Sequence, residues 1–256
     1  MAAIPEPHAA GQQGQPGPGT PDRAAAEGTS ATGGRSVLGV LLALTVFSGM
    51  VDAVCYLGLG RVFTANMTGN VVVIGFAVAG APGFSIAASL TSLGVFLVGA
   101  IAGGRITVHI ATRSRMLTLA VALEATFIAA GAAVACTAAT VATGWGRYTT
   151  IALLAFAMGI RNSVIRRLAI PDLTTTVLTM TLTGLAADST LAGGKNRQAP
   201  RRVAAVLAMF LGATVAAALL LHKGPGLPLA ITAGAAATTA ISTRVSGAVR
   251  GYLDRR

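Results

Sequence analysis

The sequence predicts an all-α, polytopic membrane bundle of about six full spans, interrupted by two shorter polar helical segments that break or re-enter. Three observations carry that prediction. Of the 256 residues, 54% are hydrophobic and 11% charged, with a mean hydropathy of +0.72, far outside the range of soluble domains. Several apolar runs approach or exceed the ~20 residues that a bilayer core of ~30 Å requires. Two polar stretches inside this lipid-like chain also read almost alike, with Val62, Thr64, Thr68 and Gly69 matching Val177, Thr179, Thr183 and Gly184 at a constant offset.

Taken in order, residues 1–35 are rich in Gly, Pro, Ala and Gln and hold no hydrophobic block, so they are expected to form a disordered tail rather than a signal peptide. The run at 37–59 is long enough to span and to act as an uncleaved signal anchor. A polar segment at 64–80 follows, then apolar runs at 86–110, 116–140 and 148–168. The second polar segment occupies 174–190, and the runs at 203–221 and 227–243, short or broken by Gly and Ala, complete the transmembrane domain at 36–243. A basic tail covers 244–256.

Loop charge decides whether the polar segments cross. If both cross, eight of the 19 basic residues fall outside against 11 inside, which is almost no bias. If both return to the side they left, only Arg61, Arg147 and Lys223 are outside and the other 16 are cytoplasmic. Positive loops stay inside, so six spans with both termini cytoplasmic are expected. The halves at about 37–140 and 148–243 then become inverted copies of three spans, an arrangement by which many carriers build a midplane site. The net charge of +11 therefore speaks to topology, and no aromatic-interleaved platform suggests nucleic acid.

Hydroxyls, amides and carboxylates in hydrocarbon need protein partners or a polar cavity. Asp52 in the first span and Glu124 in the third are candidate proton relays, and Asp172 and Asp188 bracket the second polar segment. The competing structural reading is a buried ion pair, with Arg161, late in the fourth span, as the cation. Asp172, after Pro171, suits a helix cap. Asn66 and Asn70 are four apart and would share a helix face, as would Thr176, Thr179 and Thr183. Together with Tyr56, Thr68 and Asn162, these residues form the candidate substrate or ion pathway, against the alternative that they serve as hydrogen-bonded helix contacts.

Other signals are weak or absent. Gly99-x-x-x-Gly103 permits close helix approach, with internal packing favoured over dimerisation. Cys55 and Cys136 read as small buried residues. His8, His109 and His222 lack metal-ligand spacing, so no metal or cofactor is expected. Metalloprotease, hydrolase and phosphate-loop motifs are lacking, which argues against an enzyme.

The run Asp52-Ala-Val-Cys-Tyr-Leu-Gly-Leu-Gly60 with Arg61-Val-Phe-Thr-Ala-Asn-Met-Thr-Gly-Asn-Val71 resembles the signature of the YoaK-like family of bacterial integral membrane proteins, catalogued as domain of unknown function 1275. So does Met158-Gly-Ile-Arg-Asn162 with Arg166-Arg-Leu168 and Pro171-Asp-Leu-Thr-Thr-Thr-Val-Leu-Thr179 through Thr183-Gly184. The resemblance covers about 37–243 and implies a bacterial membrane protein without implying an activity. Arg161 departs from it, since the family often carries Gln before the Asn.

These readings lead to a small secondary transporter or permease in a bacterial plasma membrane, with an unidentified small solute as substrate, a proton as the candidate coupling ion and the lipid bilayer as surroundings. The alternative is a non-transporting protein that binds a partner or lipid; either admits a homo-oligomer. Cysteines substituted in 105–115 and 195–202 should resist an impermeant maleimide added to intact cells. Labelling of either loop from outside would defeat both the six-span topology and the inverted repeat.

Overall fold

The computed structural model describes residues 21–137, 144–169, 178–195 and 198–255, with side chains from residue 32 onward. Among these residues are nine α-helices and no strand: α1 (Pro21–Gly58), α2 (Met67–Val78), α3 (Ile86–Val108), α4 (Arg113–Cys136), α5 (Gly144–Leu168), α6 (Leu178–Ala187), α7 (Ala199–Lys223), α8 (Gly226–Val245) and α9 (Gly247–Asp254). Five of them, α1, α3, α4, α5 and α7, are long and apolar enough to cross a membrane. The Ala- and Thr-rich α8 is a continuous helix of 20 residues, about 30 Å at 1.5 Å per residue.

Two buried apolar clusters, one toward each end of the bundle, give the helices their directions. The first joins Val37–Phe47 of α1, Leu117–Ala125 of α4, Ile160–Leu168 of α5 and Ala236 and Ala240 of α8. The second joins Met50–Cys55 of α1 with Leu59 just beyond it, Ile128–Ala135 of α4, Ile151–Met158 of α5, and Leu229 and Ala233 of α8. Hence α1 and α4 run from the first cluster to the second, and α5 and α8 run the other way. Ala88, at the start of α3, and Ala216, late in α7, lie in the second cluster, so α3 leaves that end and α7 arrives at it. The chain between α1 and α3 therefore begins and finishes at the same end. So does the chain between α5 and α7, at the opposite end.

Packing is closest where glycines remove side chains from facing helices. A Cβ at Gly49 of α1 would overlap Met209 O and Ala213 N of α7, and one at Gly212 of α7 would overlap Val46 O of α1. The pair α3 and α5 repeats this contact: a Cβ at Gly159 would meet Phe96 O and Ala100 N, and one at Gly99 would meet Phe156 O. Val46-x-x-Gly49 against Met209-x-x-Gly212-Ala213 thus has the same spacing as Phe156-x-x-Gly159 against Phe96-x-x-Gly99-Ala100. Gly103 extends the second contact along Ile160 O, so the Gly-x-x-x-Gly pair serves internal packing. Other contacts follow suit: α4 packs on α8, α4 on α5, α1 on α8, α2 on α3 and α6 on α7. Exchanging α1–α4 for α5–α8 maps this set of pairings onto itself.

Helix extends into both tails. α1 begins at Pro21, inside the segment expected to be disordered, because the Ala-rich run Arg23–Glu27 favours helix. The C-terminal residues form α9, capped by the Ser246 hydroxyl accepting from Val249 N at 3.3 Å, with Val249 and Leu253 buried in the first cluster. Its Asp254 accepts from Ser114 N at 2.9 Å and Ser114 Oγ at 2.8 Å, at the first turn of α4. Cys55 is buried as expected, but Cys136, at the frayed end of α4, is exposed.

A methyl group is enough to test the glycine contacts. Gly49→Ala and Gly159→Ala should each destabilise the protein by about 1–3 kcal/mol through overpacking, read as a lower unfolding temperature in detergent. Gly94→Ala, where a Cβ meets nothing within 4 Å, should not.

Candidate functional site

The site begins where α1 ends. Gly60 (φ 107°) and Arg61 (φ 57°) take the left-handed backbone that turns the chain back over α1. The returning strand-like piece, residues 62–66, has no helical partners for its amides, and Asp52 supplies them. Its Oδ1 accepts from Thr64 N and Ala65 N, both at 2.8 Å, and from Thr64 Oγ1 at 3.4 Å. Asn70, one turn into α2, satisfies the neighbouring peptide: its Oδ1 accepts from Phe63 N at 2.8 Å and its Nδ2 donates to Phe63 O at 2.6 Å and Ser92 Oγ at 3.2 Å. Tyr56 stacks on Phe63 with ring centroids 4.9 Å apart.

Arg161 lies deeper, 1% exposed, between three helices. Its Nη1 donates to Glu124 Oε1 of α4 at 2.8 Å and to Leu44 O of α1 at 3.1 Å, and its Nη2 donates to Ser48 Oγ at 2.7 Å. The pair is fully withdrawn from solvent, so each charge depends on the other.

Between these two constructions lies a cavity of about 390 Å³. Ser48 and Asp52 of α1, Arg161 and Asn162 of α5 and Met209 of α7 form its inner wall; Asn66, Thr68 and Gly69 approach from one side and Leu178 and Thr179 from the other. Asn66, Thr68 and Thr179 are exposed, whereas Ser48, Asp52, Arg161 and Asn162 are buried, so polarity deepens inward. Three of the buried groups keep polar atoms without partners among the described residues: Asp52 Oδ2, Arg161 Nε, and both Asn162 Oδ1 and Nδ2. Asn162 occupies in α5 the place Asp52 holds in α1, three residues after the glycine of each close contact.

Of the residues singled out by sequence, Asp52, Asn66, Thr68, Arg161, Asn162 and Thr179 line the cavity. The others are placed elsewhere. Asn70 is buried in the Phe63–Ser92 network, because α2 starts at Met67 and Asn66 lies outside it, so the two do not share a helix face. Thr183 is exposed and Tyr56 half-buried, both outside the lining. Glu124 is held behind the cavity by Arg161 rather than open to it. Arg161, counted among the cytoplasmic positive residues, is a core residue, which changes the balance from 16 against 3 to 15 against 3. Asp188 is exposed and pairs with Arg202 at 2.6 Å. Thr176 and Asp172, with its expected cap, lie outside the described residues. Among the described residues the two polar segments share a lining, while α2 rests on α3 and α6 on α7 rather than on each other. Ser48 was missed, although it stands four residues before Asp52 on the same face of α1.

These features define a polytopic helical membrane protein with a polar cavity at mid-height between two similarly arranged sets of helices. The chain belongs to the family described as "Protein of unknown function (DUF1275)", which it matches over residues 40–242. It is similar to the UPF0700 transmembrane protein YoaK of Bacillus subtilis (strain 168), with 36% identity over 159 residues, covering 60% of this chain and 67% of that protein. No solved structure gives a significant match.

Two sets of substitutions test the site. Glu124→Leu should cost about 3–5 kcal/mol by leaving Arg161 unpaired and so lower membrane yield, while Glu124→Leu with Arg161→Met should recover most of it. Asp52→Ala strands two amides at about 1–3 kcal/mol and should lower the unfolding temperature; Asp52→Asn keeps an acceptor and should fold nearly as well as wild type. Equal loss in both Asp52 variants would show that the charge itself holds the turn.

Proposed function

We propose that this chain is a small-solute permease of the bacterial plasma membrane, with six spans, both termini cytoplasmic, and two inverted halves that alternate access to the central cavity. The observation that carries the proposal is the cavity itself, at mid-height and lined by both polar segments and by equivalent positions on α1 and α5. Substrate sites of carriers built from inverted repeats are found at such a midplane junction, beside discontinuous helices.

The helix directions support the topology. With α1, α4 and α7 running outward and α3, α5 and α8 inward, the end marked by the first cluster carries the basic stretches 105–115 and 195–202 and is the cytoplasmic one. The paired glycine contacts support the repeat, since α1 on α7 and α5 on α3 have the same spacing but point oppositely. Of the two carboxylates considered as proton relays, Asp52 reaches the cavity and is the one proposed to couple a proton to solute. Glu124 is engaged by Arg161 and is assigned a structural part. No catalytic step is assigned to the chain.

Access to the cavity tests the proposal. Cys136→Ser removes the exposed thiol and leaves only the buried Cys55, into which Asn66→Cys and Thr179→Cys are introduced singly. Asn66→Cys should react with an impermeant reagent from outside and Thr179→Cys from inside, with modification of one side reducing access to the other. If neither position reacts from water, the polar groups are helix contacts and the protein is better read as a non-transporting binder of a partner or lipid.

A further inference from the structure

The charges around the cavity do not cancel, and their arrangement narrows what it can hold. Arg161 gives its Nη atoms to Glu124, Ser48 and Leu44 O, so its positive charge is matched by a carboxylate behind the wall. Asp52 has no such cation: its Oδ1 is taken by two amides and a hydroxyl, and Oδ2 is buried without a partner. Asp52, Glu124 and Arg161 together therefore leave one negative charge, located on Asp52. Among the described lining residues no second cation is available to neutralise it. A buried carboxylate in this setting attracts a cation or takes a proton.

Beside it the wall offers one more acceptor and two donors: Asn162 Oδ1, Asn162 Nδ2 and Arg161 Nε, all buried and unpartnered among the described residues. Thr68 and Thr179 add hydroxyls. A volume of about 390 Å³ equals roughly a dozen waters at ~30 Å³ each, at the small end of metabolite sites. An anion would face Asp52 with no free counter-charge, and an apolar solute would strand four buried polar atoms.

We propose that this cavity binds a small organic cation, a solute whose one protonated amine is drawn toward the Asp52 carboxylate and whose acceptor group lies toward Asn162 and Arg161. The inference rests on the cavity being a solute site, as in the permease reading, but it does not require transport. Asp52 supplies the charge selection, and Asn162, its counterpart in the other half, supplies a neutral pair of hydrogen bonds. The cavity is thus polarised across the repeat, with the amine end of the solute toward α1 and its acceptor end toward α5.

The test uses the purified full chain in nanodiscs and a charge-matched series: glycinamide as the cation, glycine as the zwitterion, acetamide as the neutral form and N-acetylglycine as the anion. At equal ionic strength and neutral pH, glycinamide should raise the unfolding temperature saturably, with apparent affinity at least tenfold above the other three. Asp52→Asn, which keeps the acceptor for the turn, should remove that preference; Asn162→Ala should weaken binding of glycinamide several-fold while leaving its advantage over N-acetylglycine. The proposal is overturned if glycinamide gives no saturable rise, if glycine, acetamide or N-acetylglycine does as well, if sodium chloride reproduces the rise, or if Asp52→Asn keeps the preference. Flux of labelled glycinamide into proteoliposomes separates the two readings. Selective binding without flux upholds the ligand class and defeats the permease; flux of acetamide with no amine preference does the reverse.

Discussion

A chain that leaves its helix and folds back on the bundle buries amides that have no helical partner, and in this protein one carboxylate meets that demand. Asp52 gathers Thr64 N and Ala65 N with a single oxygen, and Asn70 closes the peptide before them. These bonds act with the burial of Leu59 and Val62 in the second cluster to hold the piece between α1 and α2 against the bundle. Because it is held there, α2 is set on α3, and Asn66 just before it and Thr68 in its first turn reach the cavity. The turn, the short helix and the polar wall are consequences of the same capture.

The close glycine contacts fix the rest of the geometry. They let α1 meet α7, and α5 meet α3, backbone to backbone, which places the residues three positions further on, Asp52 and Asn162, on the same inner wall. The two halves are alike in packing and unlike in chemistry at that position. One holds a carboxylate whose first oxygen is already used, and the other holds an amide whose atoms are all free among the described residues. Symmetry thus builds the enclosure, and the departure from symmetry gives it polarity.

Much of the bundle was legible in the sequence because apolar runs and loop charge are summed properties that survive local detail. The helical class and the long apolar runs that become α1, α3, α4, α5 and α7 are legible in this way. Side-chain direction was less legible. Asn66 and Asn70 have helical spacing in the sequence, yet the helix starts between them, so one faces the cavity and the other the core. Arg161 was both a loop charge and a candidate ion-pair partner on paper; packing chose the second, since Glu124, Ser48 and Leu44 O meet it. Ser48 gave no signal of its own, being an ordinary serine whose role arises only from a partner on another helix. The Val46, Gly49, Phe96, Gly99, Phe156, Gly159, Met209 and Gly212 spacings were visible but lost among 32 glycines.

The bond between Asp254 and Ser114 has a consequence for how the protein is made. Its two partners are separated by 140 residues, so at roughly 5–20 residues per second the ribosome supplies the cap about 7–28 s after it has supplied the helix end that needs it. During that interval α4 waits in the membrane with an open first turn at the end where α9 will dock. The last helix is then a closing piece, seated against both α1 and α4, and its arrival divides assembly into a bundle that is inserted and a bundle that is finished.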